Sequence, residues 1–157
     1  MKTNSRTVTI SLLLEILDHG YEKKAWHGPN LKGALRGVSA KGAAWRPAPG
    51  RHNIRDLVLH AAYWKYAVRR RLGGEKRGSF PVAGSNWFTS GGRPDEKAWR
   101  KDRELLEREH RQLRATIAGL RSGKKRLPEA ILFGVAFHDV YHAGQIQLLK
   151  RLQARGG

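Results

Sequence analysis

The chain contains no cysteine. Disulfides, iron–sulfur clusters, thiolate zinc sites and cysteine nucleophiles are therefore excluded. It has no long apolar run, and nothing approaches the ~18 residues needed to span a bilayer. The opening stretch MKTNSRTVTISLLLEILDHG looks superficially like a signal peptide. Glu15 and Asp18 interrupt its apolar part and no small-x-small cleavage site follows, so an amphipathic helix is the better reading. With no signal and no cysteine, the expected location is the cytoplasm. Internal repeats and low-complexity tracts are also missing. Acidic residues are scarce: 13 Asp and Glu stand against 31 Lys and Arg, for a formal charge of +18.

What is present fits a folded chain. Hydrophobic residues make up 39 % and charged residues 28 % of 157 positions, a globular composition that suggests one domain over 1–157. The positive charge attracts polyanions in general. It is spread out, with eight Lys and Arg and no acid from Lys23 to Arg55, and short clusters at Arg69-Arg70-Arg71 and Lys124-Lys125-Arg126. From Arg100 to Arg121 the cations interleave with Asp102, Glu104, Glu107 and Glu109, as on a solvated helix face. No recognised nucleic-acid-binding module accompanies the charge.

Helical periodicity dominates. Ile10, Leu13, Leu14, Leu17 and Tyr21 predict a helix from about Thr7 to Trp26, broken by Gly28-Pro29. A second short helical pattern follows from Asn30, with Leu31, Leu35 and Val38, and Trp45 to Gly50 is a proline-stiffened connector. Asn53 caps the next helix, with Asp56 in its first turn. Its apolar stripe is Ile54, Leu57, Val58, Ala61, Trp64, Val68 and Leu72, and Gly73-Gly74 ends it.

Gly73 to Arg93 has no convincing period, six glycines and Pro81. A run of that length is a mobile segment, a functional loop or a crossover between helices running the same way. Pro94-Asp95-Glu96 starts a third long helix with Trp99, Leu106, Leu113 and Leu120 seven apart, and Ser122-Gly123 stops it. The last helix runs from about Pro128 to Gln153, with Ile131, Val135, Leu149 and Leu152 on one face. The fold class is all-α, a four-helix bundle with a long crossover between its second and third helices.

Seven histidines are present. His138 and His142 share a face of the last helix, about 5–6 Å apart at Cβ. They interrupt an apolar stripe, and two buried imidazoles need a metal or a hydrogen-bond network. His60 lies mid-helix on the core side of the capped helix, where a bundle can bring it level with the pair. Three imidazoles leave coordination positions open, a catalytic arrangement. The zinc-protease pattern HExxH is a poor match, because Asp139 stands where Glu acts as base and no third ligand follows. His110 reads as a core or boundary residue, His19 and His52 as helix-end residues, and His27 as a surface turn.

These residues resemble the DinB-like (YfiT-like) superfamily. The matching stretches are Trp26-His27-Gly28-Pro29, Trp45-Arg46-Pro47, LVLHAAYWKYAVRRRLGG around His60, and GVAFHDVYHAGQIQLLKRL from Gly134 to Leu152. The resemblance covers nearly the whole chain. It implies a four-helix bundle with its second and third helices parallel, and a divalent metal held by His60, His138 and His142. Nickel, zinc and iron occur across the family. It also implies a small-molecule substrate such as a low-molecular-weight thiol, in S-transferase, thiol-dependent isomerase or hydrolase chemistry.

On this reading the metal acts as a Lewis acid on water or a thiol. Gln145, one turn past His142, orients a ligand or substrate, and Tyr141 and Asp139 support the site. Two other readings stand beside it. One is a nucleic-acid or polyanion binder without catalysis. The other is an interaction protein that dimerises through exposed helix faces.

Overall fold

The computed structural model describes residues 5–76, 78–88, 95–120 and 128–155. Among these residues the protein is all-helical, with no strand. The helices are α1 (Ser5–Tyr21), α2 (Leu31–Ala34), α3 (Ala40–Ala44), α4 (Ile54–Gly73), α5 (Glu96–Gly119) and α6 (Glu129–Arg155). Among the long helices, α4 packs on α5 and α6, and α1 packs on α5 and α6. The short α2 seats on α6 and α1, and α3 on α4 and α5.

Local chemistry sets the helix ends. The Asn53 side chain accepts from the Asp56 amide, and the Asp56 carboxylate accepts from the Asn53 amide. This reciprocal pair satisfies two amides that α4 leaves without helical partners. Gly74, with φ of 66°, closes α4 in a left-handed turn. Asp95 caps α5 by accepting from the Ala98 amide at 2.6 Å. The first helix ends at Tyr21, short of the expected Trp26, because the Asp18 carbonyl accepts from both the Glu22 and Lys23 amides. His19 and Asn30 then donate to the carbonyls of Lys24 and Lys23, which fixes a turn there. The expected short helix after Asn30 is two helices, each with its own polar cap, Asn30 and Ser39.

Between Gly74 and Phe88 the described residues hold no helix. The last part of the aperiodic stretch, Pro94, and the expected stop at Ser122-Gly123 lie outside the described residues.

The core falls into two apolar clusters. One gathers Ile54 to Ala62 of α4, Trp99 to Leu106 of α5 and Ala143 to Leu149 of α6. The other gathers Ile10 to Leu17 of α1, Leu113 and Ile117 of α5, and Leu132 to Ala136 of α6. Polar residues separate them along the chain: Lys65 on α4, His110 on α5 and Asp139 on α6 are all buried. Lys65 Nζ donates to Asp139 Oδ2 at 2.5 Å and lies 3.4 Å from His110 Nδ1. Tyr21 of α1 stacks on His110, with ring centroids 3.7 Å apart.

The ion pairs between helices give their order. Arg55 meets Asp102 at 2.6 Å, and further along both α4 and α5 Arg69 meets Glu109 at 3.2 Å. Between α1 and α5 the order reverses: Arg6 reaches the Leu120 carbonyl, while Tyr21 reaches Glu107. Gly20 lets α1 approach α6 closely, since a Cβ there would stand 2.9 Å from the Ala136 carbonyl oxygen. Two expected stripe residues are exposed instead: Trp64 and Leu152 each keep 40 % of their surface open.

Candidate metal centre

The second turn of α4 meets the middle of α6 at three histidines. His60 and His142 are buried, and His138 is partly so. Their ligand nitrogens lie within 4.8 Å of one another. His138 Nε2 is 3.1 Å from His60 Nε2 and 2.9 Å from His142 Nε2. The four-residue step on α6 brings the His138 and His142 rings edge to face, with centroids 4.2 Å apart.

Each flanking ring is fixed by its other nitrogen. His60 Nδ1 donates to the Asn86 carbonyl at 2.8 Å. His142 Nδ1 donates to Gln145 Oε1 at 2.6 Å, and Gln145 Nε2 donates to the Tyr141 hydroxyl at 3.2 Å. A neutral imidazole that donates through Nδ1 presents a lone pair at Nε2. The lone pairs of His60 and His142 therefore both face His138 Nε2. One N–H on His138 could satisfy only one of them.

A cation shared by the three nitrogens satisfies the whole set. Two nitrogens held about 2.1 Å from one ion lie about 3.0–3.4 Å apart at right-angle to tetrahedral geometry. Two of the three separations, 2.9 and 3.1 Å, lie at the lower end of that range, and the third is within 4.8 Å. The donor set thus fits a divalent metal ion.

Electrostatics keep the cluster neutral and ready to bind. Burial pushes the His138 imidazolium down to about 3, with further repulsion from His142, His60 and Lys65. Burial likewise takes His142 down to about 4, against the opposing bond to Gln145. His60 is lowered too, chiefly by burial, with the Asn86 carbonyl opposing.

The other expected site residues separate. Gln145 sits at the cluster, bonded to His142. Tyr141 is 64 % exposed, with its ring edge-on to His142 at 5.2 Å between centroids. Asp139 is fully buried and its carboxylate engages Lys65, not the histidines. His110 is buried in the polar layer, and His27 is exposed.

Sequence reasoning missed Asn86, Trp87 and the part played by His52. Trp87 lies between two imidazoles, stacked on His60 with centroids 3.8 Å apart and on His52 at 3.7 Å. These residues sit at or beyond the edges of the periodic segments, where spacing carries no signal. The available hint was an Asn-Trp pair embedded in a glycine-rich loop.

The family model described as the DinB superfamily matches residues 25–146, a span that contains all three histidines. No curated protein and no solved structure matches the chain.

Proposed function

The chain belongs to the DinB superfamily, and from that premise we propose that it is a metal-dependent enzyme with His60, His138 and His142 as its metal ligands. The observation that carries this reading is the convergence of three Nε2 atoms, two of them with lone pairs fixed by bonds at Nδ1. A divalent ion held there supplies Lewis acidity that lowers the pKa of water or of a small-molecule thiol at neutral pH. Because the chain has no cysteine, any thiol in the reaction comes from outside it.

The chain's own residues orient and shield. Gln145 holds the tautomer of His142 and, through Tyr141, presents a hydroxyl at the exposed side of the cluster. Asn86 does the same for His60. Trp87 covers one face of His60 and keeps water from that side. The reaction class is transfer to or from a small thiol, or hydrolysis, acting on a small-molecule substrate. Asp139 contributes through the register of α6, not by contact with substrate.

The architecture proposed for this site is a single-domain four-helix bundle. The order of ion pairs supports parallel α4 and α5, which a long crossover would join. The Arg6–Leu120 and Tyr21–Glu107 hydrogen bonds support α1 antiparallel to α5. No described helix is long and apolar enough to cross a membrane.

Cobalt loading tests the activity class. The cobalt-loaded protein is expected to show visible absorption that changes with pH, and a new near-ultraviolet band on adding a small thiol. Both should vanish in His142→Ala. A cobalt spectrum indifferent to thiol and to pH would show that no coordination position is open, and would overturn the enzymatic reading.

A further inference from the structure

His60 differs from its two partners in what holds it. His138 and His142 sit one turn apart on one helix, and His142 takes its bond from Gln145 of the same helix. His60 depends instead on residues 84–88, which are far from it in sequence. The Asn86 carbonyl takes the His60 Nδ1 proton at 2.8 Å. The Asn86 side chain takes the Trp64 Nε1 proton at 2.9 Å. Trp87 lies flat on the His60 ring, tilted by only 7°. His52 lies flat on the far face of Trp87, tilted by 10°.

The backbone here is unusual. Among the described residues Asn86 is the one non-glycine with positive φ, at 60°. Asparagine tolerates that left-handed conformation better than most residues, at some cost. Such a conformation persists when its surroundings determine it. The surroundings here are the His60 bond, the Trp64 bond and the stack. Phe88 then anchors the segment, buried in the larger apolar cluster with Tyr63 and Phe80 against it.

We infer that residues 84–88 are a clamp on His60, with Asn86 and Trp87 as positioning residues that set its Nε2 for the metal. The inference rests on the reading that the three histidines hold a divalent ion. Linkage is reciprocal: a clamp that raises metal affinity by orienting His60 is itself closed more firmly when the metal binds. Residues 84–88 therefore respond to the metal without touching it.

Nickel titration of four variants provides the test, with circular dichroism and thermal unfolding of each metal-free protein to confirm folding. Trp87→Ala removes the stack, and Asn86→Val places a β-branched residue at positive φ. Each should weaken nickel binding by about 10–100-fold, the usual effect of losing a group that orients a ligand. Trp87→Phe retains a stacking ring, and Asn86→Gly retains the backbone conformation and its carbonyl. Both should stay within about threefold of wild type.

Hydrogen exchange on the wild-type protein gives a second readout that needs no variant. Nickel should slow exchange in residues 84–88 more than in α1. If wild-type protein binds one nickel while folded Trp87→Ala and Asn86→Val bind it equally well, the clamp is wrong and the metal site stands. The clamp is equally wrong if exchange at 84–88 is unmoved by bound nickel. If wild-type protein takes up no nickel, the site reading falls and the clamp falls with it.

Discussion

Three imidazoles can crowd together without charge repulsion only while no more than one of them is protonated. An unfolded histidine has a pKa of about 6.5. In the folded protein burial takes His138 to about 3 and His142 to about 4, and lowers His60 as well. His110, outside the cluster, is pushed to about 2 by burial and by Lys65. Between the folded and unfolded values only the unfolded chain binds the proton. Stability from these groups is therefore complete above about pH 6.5 and is lost as pH falls towards the folded values. For His110, His138 and His142 the loss is at most about 1.4 kcal/mol per pH unit within that window. The metal-free protein is expected to show a level thermal midpoint from pH 8 to pH 7 and a steep decline from pH 6 to pH 4. In His110→Phe the decline should be shallower by about one proton. An unchanged midpoint down to pH 4.5 would contradict buried, neutral imidazoles.

The four long helices meet at a polar layer between two apolar clusters. Lys65 of α4 and Asp139 of α6 form its centre, and neither has water to fall back on. Burial raises the Asp139 carboxyl, and the Lys65 ammonium opposes that rise. Removing one member of such a pair strands the other charge, which costs about 3–5 kcal/mol, whereas replacing both with apolar groups is often neutral. Urea unfolding should therefore show Lys65→Met destabilised by about that amount, and Lys65→Met/Asp139→Leu recovering most of it. A single variant as stable as wild type would show that the pair does not set the register of α6 on α4.

This layer also marks how far the sequence could be read. Helical period and the Asn53 cap exposed the long helices, because those signals are local. The His138–His142 step was legible for the same reason, and His60 followed from its place on an apolar stripe. Lys65 was overlooked, although it continues the Leu57–Ala61 spacing on the core side of α4. Asp139 likewise falls on the line of Leu132, Val135 and Ala136. A cation on one apolar stripe and an acid on another are the trace of a buried pair, but only packing shows that they meet. Asn86 and Trp87 left no trace in spacing, because a loop that crosses back onto α4 is a long-range fact.

For the whole molecule the imbalance of charge acquires a structural side. Asp18, Asp56, Asp102, Glu109 and Asp139 are all buried, and each is paired with Lys or Arg. Five of the 13 acids are thus neutralised in buried pairs, and the net charge of +18 is carried by the remaining groups. That positive charge attracts anions in general. The three histidines are a separate matter, set at the α4–α6 contact and built from neutral groups. The central claim is that they hold one metal ion. Calorimetric titration of untagged protein with nickel or zinc measures it directly, alongside His142→Ala. One ion per chain in wild type, with affinity lost in the variant, is the predicted result; no uptake by wild type, or equal uptake by both proteins, would contradict it.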